Sequence, residues 1–433
     1  MRHSVTHGKI DENTGAPSNT RVLSYLLAAL CLIAIAPLFQ SLATWDRDGK
    51  LAETAFVIRH LSLPTVVIEI FIVYIASRGG FDPTAVYRNL ELKTKIAIIV
   101  WSIFAVFTTF FVSSDILSSL FILMRYFIHC IVLCCLVFLV SQSENFNVKK
   151  WIEFLTIGAL LYLISLLVFV YLTRNSDSFP WALRLPSATN IRQIGNLLSI
   201  LAIAPITALL ARDHSQKAYY FLAVSLIIAF VTWTGTRGGM LGLALGSTLG
   251  IIATFKFTSL RNIALLTTSW VGGALFSIPF FRPAADFGLF RMVKTVTTDQ
   301  QLSPGRTEMW RDTFFEILQN PFLGYGSGNF RQNMLEKYHY DFNHPHNVIL
   351  QYIYDWGIFG GLAALVILLS VGGRLLASRP QGSAVRFLAI AAFCTTLTIA
   401  MIEGTLFHPL PILMTIAMIS PALGLASKSA LRV

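Results

Sequence analysis

Apolar and polar positions fall along this chain in long blocks. Apolar runs of about twenty residues recur from Val22 almost to the C-terminus, separated by short polar stretches. At about 1.5 Å of rise per residue, a helical run of that length crosses the roughly 30 Å hydrocarbon core of a bilayer. The blocks predict twelve spans, near residues 22–44, 61–77, 95–113, 117–141, 151–172, 191–211, 219–235, 238–254, 262–281, 346–373, 386–404 and 408–427. The expected architecture is an all-α polytopic membrane protein. Spans one to nine occupy 22–281, a long loop 282–345, and spans ten to twelve 346–427. Residues 1–21 and 428–433 read as short cytoplasmic tails, the first with no small-residue cleavage site behind the following apolar run.

The long loop has a pattern of its own. In "SPGRTEMWRDTFFEILQNPFLGYGSGNF", Ser303 or Pro304 can start a helix and Glu308 lies in its first turn. Trp310, Phe314, Ile317 and Leu318 recur at helical spacing, and Pro321 ends the run. This predicts an amphipathic helix lying on the membrane surface. Gly324, Gly326 and Gly328 follow, and let the backbone turn tightly or approach a ligand.

Composition sharpens the class and charge supplies the orientation. Hydrophobic residues make up 55% of the chain and charged residues only 13%, against about 25% charged in an ordinary soluble domain. With the N-terminus inside, the short inside loops hold more than half of the 33 lysines and arginines, as the positive-inside rule requires. Both termini are then expected in the cytoplasm and the long loop outside. That loop is itself basic, with Arg282, Arg291, Lys294, Arg306, Arg311, Arg331 and Lys337. An anionic ligand accounts for this, as do arginines snorkelling to lipid phosphates. The five cysteines all fall in apolar runs and read as small buried hydrophobes.

Three polar features are expected at one depth on the outside. They are Arg237 in the tight connection "TGTRGG", Arg306 in the loop helix, and the cluster from His344 to Asn347 that opens "HPHNVILQYIYDWGIFGG". Gly357, about three helical turns beyond His346, is expected on the same helical face, and the spacing H-N, nine residues, G-x-x-G is filled by His346, Asn347, Gly357 and Gly360. In this it resembles the signature of the O-antigen ligase and polymerase superfamily. "TGTRGG", "GRTEMW" and "NPFLGYGSGNF" are similar to further elements of that family, with Thr236 where serine is common.

The resemblance implies a GT-C type glycosyltransferase in the bacterial inner membrane, its active site facing the periplasm. The donor would be a glycan on undecaprenyl diphosphate, and the acceptor a sugar hydroxyl of lipid A core or of a second lipid-linked glycan. Guanidinium forks suit the phosphate oxygens of the leaving group, which gives the catalytic roles of Arg237 and Arg306. An imidazole suits removal of the hydroxyl proton, and His346 stands at the motif position for that base. Asn347, His344, Arg192, Gly324 and Gly326 are the expected substrate-binding residues.

Each assignment has a plainer reading. Arg237 can anchor a helix turn at the headgroups, Arg306 can pair with Glu308 or cap its own helix, and His346 can be an ordinary interfacial histidine. Arg184, Arg125 with His129, Glu403 and His408 are weaker candidates, for which structural roles weigh slightly more. The outside face shows no carboxylate pair, and the chain carries no phosphate-loop or dinucleotide fingerprint. No metal, cofactor or nucleic-acid partner is therefore expected. A transporter is the competing class, but the halves show no clear repeat and the polar residues collect at one face. A non-catalytic envelope scaffold leaves the co-placement of Arg237, Arg306 and His346 unexplained.

Overall fold

The computed structural model describes residues 63–144, 146–173, 191–211, 216–254, 258–280, 288, 305–378 and 383–430. The N-terminal tail, the first expected span, Arg184 and most of 281–304 lie outside the described residues. All regular structure among the described residues is helical. In chain order the helices are α1 (Leu63–Arg78), α2 (Pro83–Arg88), α3 (Leu92–Phe111), α4 (Ile116–Gln142) and α5 (Val148–Thr173). Then come α6 (Ile191–Leu201), α7 (Ile203–Leu210), α8 (Lys217–Trp233), α9 (Arg237–Ala253) and α10 (Leu260–Phe276). The loop contributes α11 (Arg306–Gln319) and α12 (Phe330–Tyr338), followed by α13 (Val348–Ala377), α14 (Ser383–Ala400), a 3-10 turn (Thr405–Phe407) and α15 (Pro409–Ala430).

Each expected span after the first coincides with a helix or, at 191–211, with the pair α6 and α7. By length and composition, seven stretches of the described chain can cross a membrane, and α8 and α9 are shorter apolar helices. The stretch Ile191–Leu210 is 94% buried, whereas Val348–Ala377 is 28% buried. That burial places α6 and α7 at the centre of the bundle, while α13 presents a broad face outward.

Small residues let the helices around that axis approach closely. Gly242 and Gly246 of α9 lie against α14: a Cβ on Gly246 would overlap Thr395 Oγ1 and come within 2.6 Å of the Ala391 carbonyl oxygen. This is the close backbone approach that small-xxx-small spacing allows. Of the described cysteines only Cys135 is buried; Cys130 is exposed, and Cys134 and Cys394 are half-buried, which corrects the expectation that all are core residues.

The loop folds against the bundle through its own polar core. Glu316 of α11 accepts from Tyr338 Oη at 2.9 Å and Lys337 Nζ at 2.6 Å. Asn329 Nδ2 donates to Ser113 Oγ at 2.8 Å, which ties the loop to the α3–α4 turn. The expected apolar face of α11 is divided by this arrangement. Ile317 is buried with Met309, while Phe314 and Leu318 are exposed at 50% and 56%.

Gly246→Ala should destabilise the protein by about 1–3 kcal/mol, the usual cost of overpacking a filled interface. Gly272→Ala, where a Cβ meets nothing within 4 Å, should leave the melting temperature in detergent unchanged.

Candidate functional site

The polar cluster forms where three chain reversals meet at one end of the bundle. The first is "TGTRGG". Gly235 takes φ +64°, Thr236 is the N-cap of α9, and Thr236 Oγ1 donates to Asn196 Oδ1 of α6 at 2.8 Å. Arg237 is thereby held at the first position of α9. A cation there opposes the positive end of the helix dipole, and its buried Nη1 has no hydrogen-bond partner among the described residues. The next residue, Gly238, lies against the turn after α14: an added Cβ would be 3.1 Å from Ile402 and 3.2 Å from Glu403.

That turn, from Met401 to His408, is the second reversal. Glu403 Oε1 pairs with Arg306 Nη2 at 2.6 Å, and Arg306 Nη1 donates to the Ile402 carbonyl at 2.6 Å. Arg306 therefore grips both backbone and side chain of the turn, instead of pairing with its helical neighbour Glu308. Arg125 Nη2 of α4 donates to the Phe407 carbonyl at 3.2 Å, and Gln193 Nε2 lies 3.0 Å from His408 Nε2. His129 is elsewhere, its Nδ1 2.7 Å from Glu69 of α1.

The third reversal leads into α13. Asn347 caps this helix, accepting from Ile349 N at 3.0 Å and Leu350 N at 3.1 Å, and its Nδ2 donates to the Met401 carbonyl at 3.2 Å. Its carboxamide is thus engaged in capping and in joining two reversals. His346 precedes the helix, in the left-handed region at φ +56°. Its backbone N–H donates to His344 Nδ1 at 3.2 Å, which leaves the His344 proton on Nε2. His346 Nδ1 is 3.6 Å from Glu403 Oε2, so one carboxylate faces both Arg306 and His346. The His344 ring lies edge-on to His346 at 4.4 Å and to His408 at 5.7 Å.

Gly404 makes this crowding possible, since a Cβ there would occupy the His344 ring. Burial holds His344 well below the ordinary histidine range, with the His346 ring adding to the effect. Burial lowers His346 to about 3, reinforced by the Arg306, His408 and Arg192 fields, and lowers His408 to about 4. All three are neutral at physiological pH, and His346 keeps a nitrogen lone pair available.

Arg237, Arg306, His344, His346 and Asn347 are therefore brought together, and Arg192 is close enough for its field to reach His346. Gly324 and Gly326 are placed differently. Tyr325 N and Gly326 N donate to the Tyr354 and Asp355 carbonyls of α13, both at 2.9 Å. A Cβ on Gly324 would come within 2.5 Å of the Tyr354 oxygen. These glycines serve a backbone junction with α13, whose helix breaks at Gly357, φ +66°. The expectation that His346 and Gly357 share a helical face is corrected on two counts: His346 lies outside the helix, and Gly357 interrupts it. Glu403, weighed in the sequence as marginal, is central here. The signal was a lone acid between two apolar spans.

The cluster is basic, lined by histidines and set at one end of an apolar helical bundle. Residues 222–365 match the family model described as O-antigen ligase, a stretch that contains Arg237, Arg306 and His346. Over that third of the chain the protein is similar to the O-antigen ligase family. No curated protein matches it significantly.

The unfolded chain binds protons on these histidines below about pH 6.5, whereas the folded chain takes them up only near 3 to 4 at His346 and His408. Stability should therefore be greatest above pH 6.5 and fall as the pH drops toward 4. Thermal unfolding in detergent from pH 7.5 to 4.5 should show that slope, and His408→Gln should flatten it.

Proposed function

We propose that the protein transfers a preassembled glycan from undecaprenyl diphosphate to a sugar hydroxyl at the periplasmic face of the bacterial inner membrane. The observation that carries this is the meeting of Arg237, with a buried and unpartnered Nη1, and the Arg306–Glu403–His346 cluster at one end of a membrane bundle. The family match over residues 222–365 supports the reaction type, and the geometry is consistent with the roles given below.

The acceptor oxygen attacks the anomeric carbon while the bond from that carbon to the diphosphate breaks. The acceptor proton passes to Nε2 of His346, and the electron pair leaves with the diphosphate. Arg237 and the α9 N-terminus receive the negative charge that builds there. Arg306 fixes Glu403, and Glu403 faces Nδ1 of His346, which orients Nε2 toward the acceptor.

In the free protein the cationic surroundings hold His346 near 3, too low for an effective base at neutral pH. A bound diphosphate carries the opposite charge and offsets the Arg306 and Arg192 fields, so donor binding raises the basicity of His346. Proton removal is thus coupled to the presence of a leaving group. The acceptor is the lipid A core, the ligase reading that the complete H-N-x9-G-x-x-G pattern favours; joining of lipid-linked repeats is the polymerase alternative.

Purified protein given lipid-linked glycan and acceptor should form the transfer product. His346→Ala should lower kcat about 10²-fold or more, the usual contribution of a positioned base. Arg237→Lys should lose activity despite keeping the charge, because the bidentate fork is lost; full activity in both variants would refute the role assignments. The acid limb of kcat, which reports the donor complex, should lie at higher pH than that of kcat/KM. In cells, accumulation of unattached polymer marks a ligase and accumulation of single repeats a polymerase.

A further inference from the structure

The segment between α12 and the histidine cluster leaves one aromatic ring in the open. Phe342 is 46% exposed, and its ring stands edge-on to that of His346 with 5.4 Å between centroids. An uncovered phenyl ring therefore sits beside the imidazole assigned as base. A single exposed apolar side chain is ordinary in itself. What sets Phe342 apart is its place, its surroundings and the way its backbone is held.

The loop core gathers around Met309, Phe330, Met334 and Tyr354 and leaves Phe342 outside. The surroundings are not those of a lipid-facing ring either. Asp341 and Asn343 on either side are exposed, and Asp341 pairs with Arg331 of α12 with more than half of each side chain accessible. A bilayer that covered the ring would have to take up this ion pair with it, and would desolvate both charges.

The backbone that carries the ring is fixed to α11 at both ends. Two residues before Phe342, Tyr340 Oη donates to Asp312 Oδ2 at 2.8 Å. Three residues after it, the Pro345 carbonyl accepts from Trp310 Nε1 at 2.8 Å. The second bond also holds the chain one residue before His346, so the ring and the base are positioned by the same short bridge. A flat apolar face with a few placed polar groups around it is the make-up of a small-ligand site.

We propose that Phe342 is the platform on which the acceptor sugar lies while His346 takes its hydroxyl proton. The inference rests on the transferase reading given above. One face of a pyranose ring is a set of C–H groups polarised by the neighbouring oxygens, and the face of a phenyl ring carries the complementary negative charge. Stacking there leaves the hydroxyls at the rim of the sugar free. One of them meets the imidazole, and the exposed Arg311 and the Arg331–Asp341 pair supply charged partners nearby for others. The donor sugar is held through its diphosphate at the arginines, whereas a ring on Phe342 is held against the group that needs the acceptor hydroxyl. The platform thus converts binding of a pyranose into alignment of the attacking oxygen.

The test uses the full-length protein in detergent with para-fluorophenylalanine placed at position 342 and read by fluorine NMR. The sugar probes are lipid A bearing its core oligosaccharide and a repeat-unit oligosaccharide freed from its carrier. Lipid A stripped of the core and sugar-free undecaprenyl diphosphate are the lipid controls. The resonance should shift saturably with at least one sugar probe, which identifies the source of the acceptor, and with neither lipid control. His346→Ala carrying the same label should respond as the wild type does. In transfer assays Phe342→Ala should raise the acceptor KM about tenfold, the size of one lost aromatic contact, with the donor KM and the melting temperature unchanged. Phe342→Trp should restore the acceptor KM, and Phe342→Leu, apolar but without a π face, should not.

A shift with either lipid control, full recovery in Phe342→Leu, or a donor KM that moves in place of the acceptor KM would overturn the platform. A resonance silent to both sugar probes would overturn it as well, and would leave the transferase reading standing wherever product still forms. A sugar-specific shift in protein that forms no product would support the platform and count against the transferase reading.

Discussion

The Arg306–Glu403 ion pair is the contact on which the polar end of the molecule depends. It joins a loop helix to the turn between two spans across 97 positions of sequence, and the carboxylate it fixes also faces His346. A partly buried pair of this kind gains little net stability by itself, because desolvation offsets most of the Coulomb attraction. Its consequence is geometric. With the guanidinium also bonded to the Ile402 carbonyl, the turn has one position, and Gly238, His344 and Asn347 all pack or bond against that turn. Removing either partner would leave a charge stranded at the end of an apolar bundle.

The charge balance around that pair follows from the helices that deliver it. Arg237 is set by the α9 cap, Arg192 by the start of α6, and Arg125 by α4, while Glu403 is the carboxylate that faces the cluster among the described residues. A low-dielectric surround magnifies the excess of positive charge. The histidines respond by staying neutral, and the cluster keeps the net positive charge that the proposed diphosphate would require. The charge match to the proposed diphosphate thus comes from the bundle as a whole, since these arginines are delivered by different helices.

Much of this was legible in the sequence because hydrocarbon thickness fixes span length. Apolar runs located the helices after the first, and the S-R-G-like, G-R-x-x-x-W-like and H-N elements located Arg237, Arg306 and His346. Less legible was anything decided by contact between distant segments. Asn347 reads as a ligand-directed amide until the Ile349 and Leu350 N–H groups are seen to claim it. Gly324 and Gly326 read as a ligand loop, yet what they approach is the backbone of α13. Glu403 carries no local motif at all, and its importance comes from Arg306, a partner supplied by another part of the fold. Helical counting from His346 to Gly357 failed because it assumed an unbroken helix where the chain leaves one conformation at each end of the interval.

That break has its own logic. A continuous α13 would have no open backbone groups to receive the loop. With Gly357 out of helical geometry, Ile358 N reaches the Pro321 carbonyl at 2.8 Å while the Tyr354 and Asp355 carbonyls accept from Tyr325 and Gly326. Backbone bonds that would otherwise close within one helix are exchanged for bonds to the loop, which keeps these three groups partnered in an apolar setting. The loop is thereby welded to the span that begins beside His346. Arg306 enters from the N-terminal end of α11 and the Pro321–Gly326 junction anchors the other, so the helix bridges base and ion pair as a strut held at both ends. Next to the break, Trp356 Nε1 donates to Ser327 Oγ of the loop at 2.8 Å, a side-chain bond that reinforces the backbone junction.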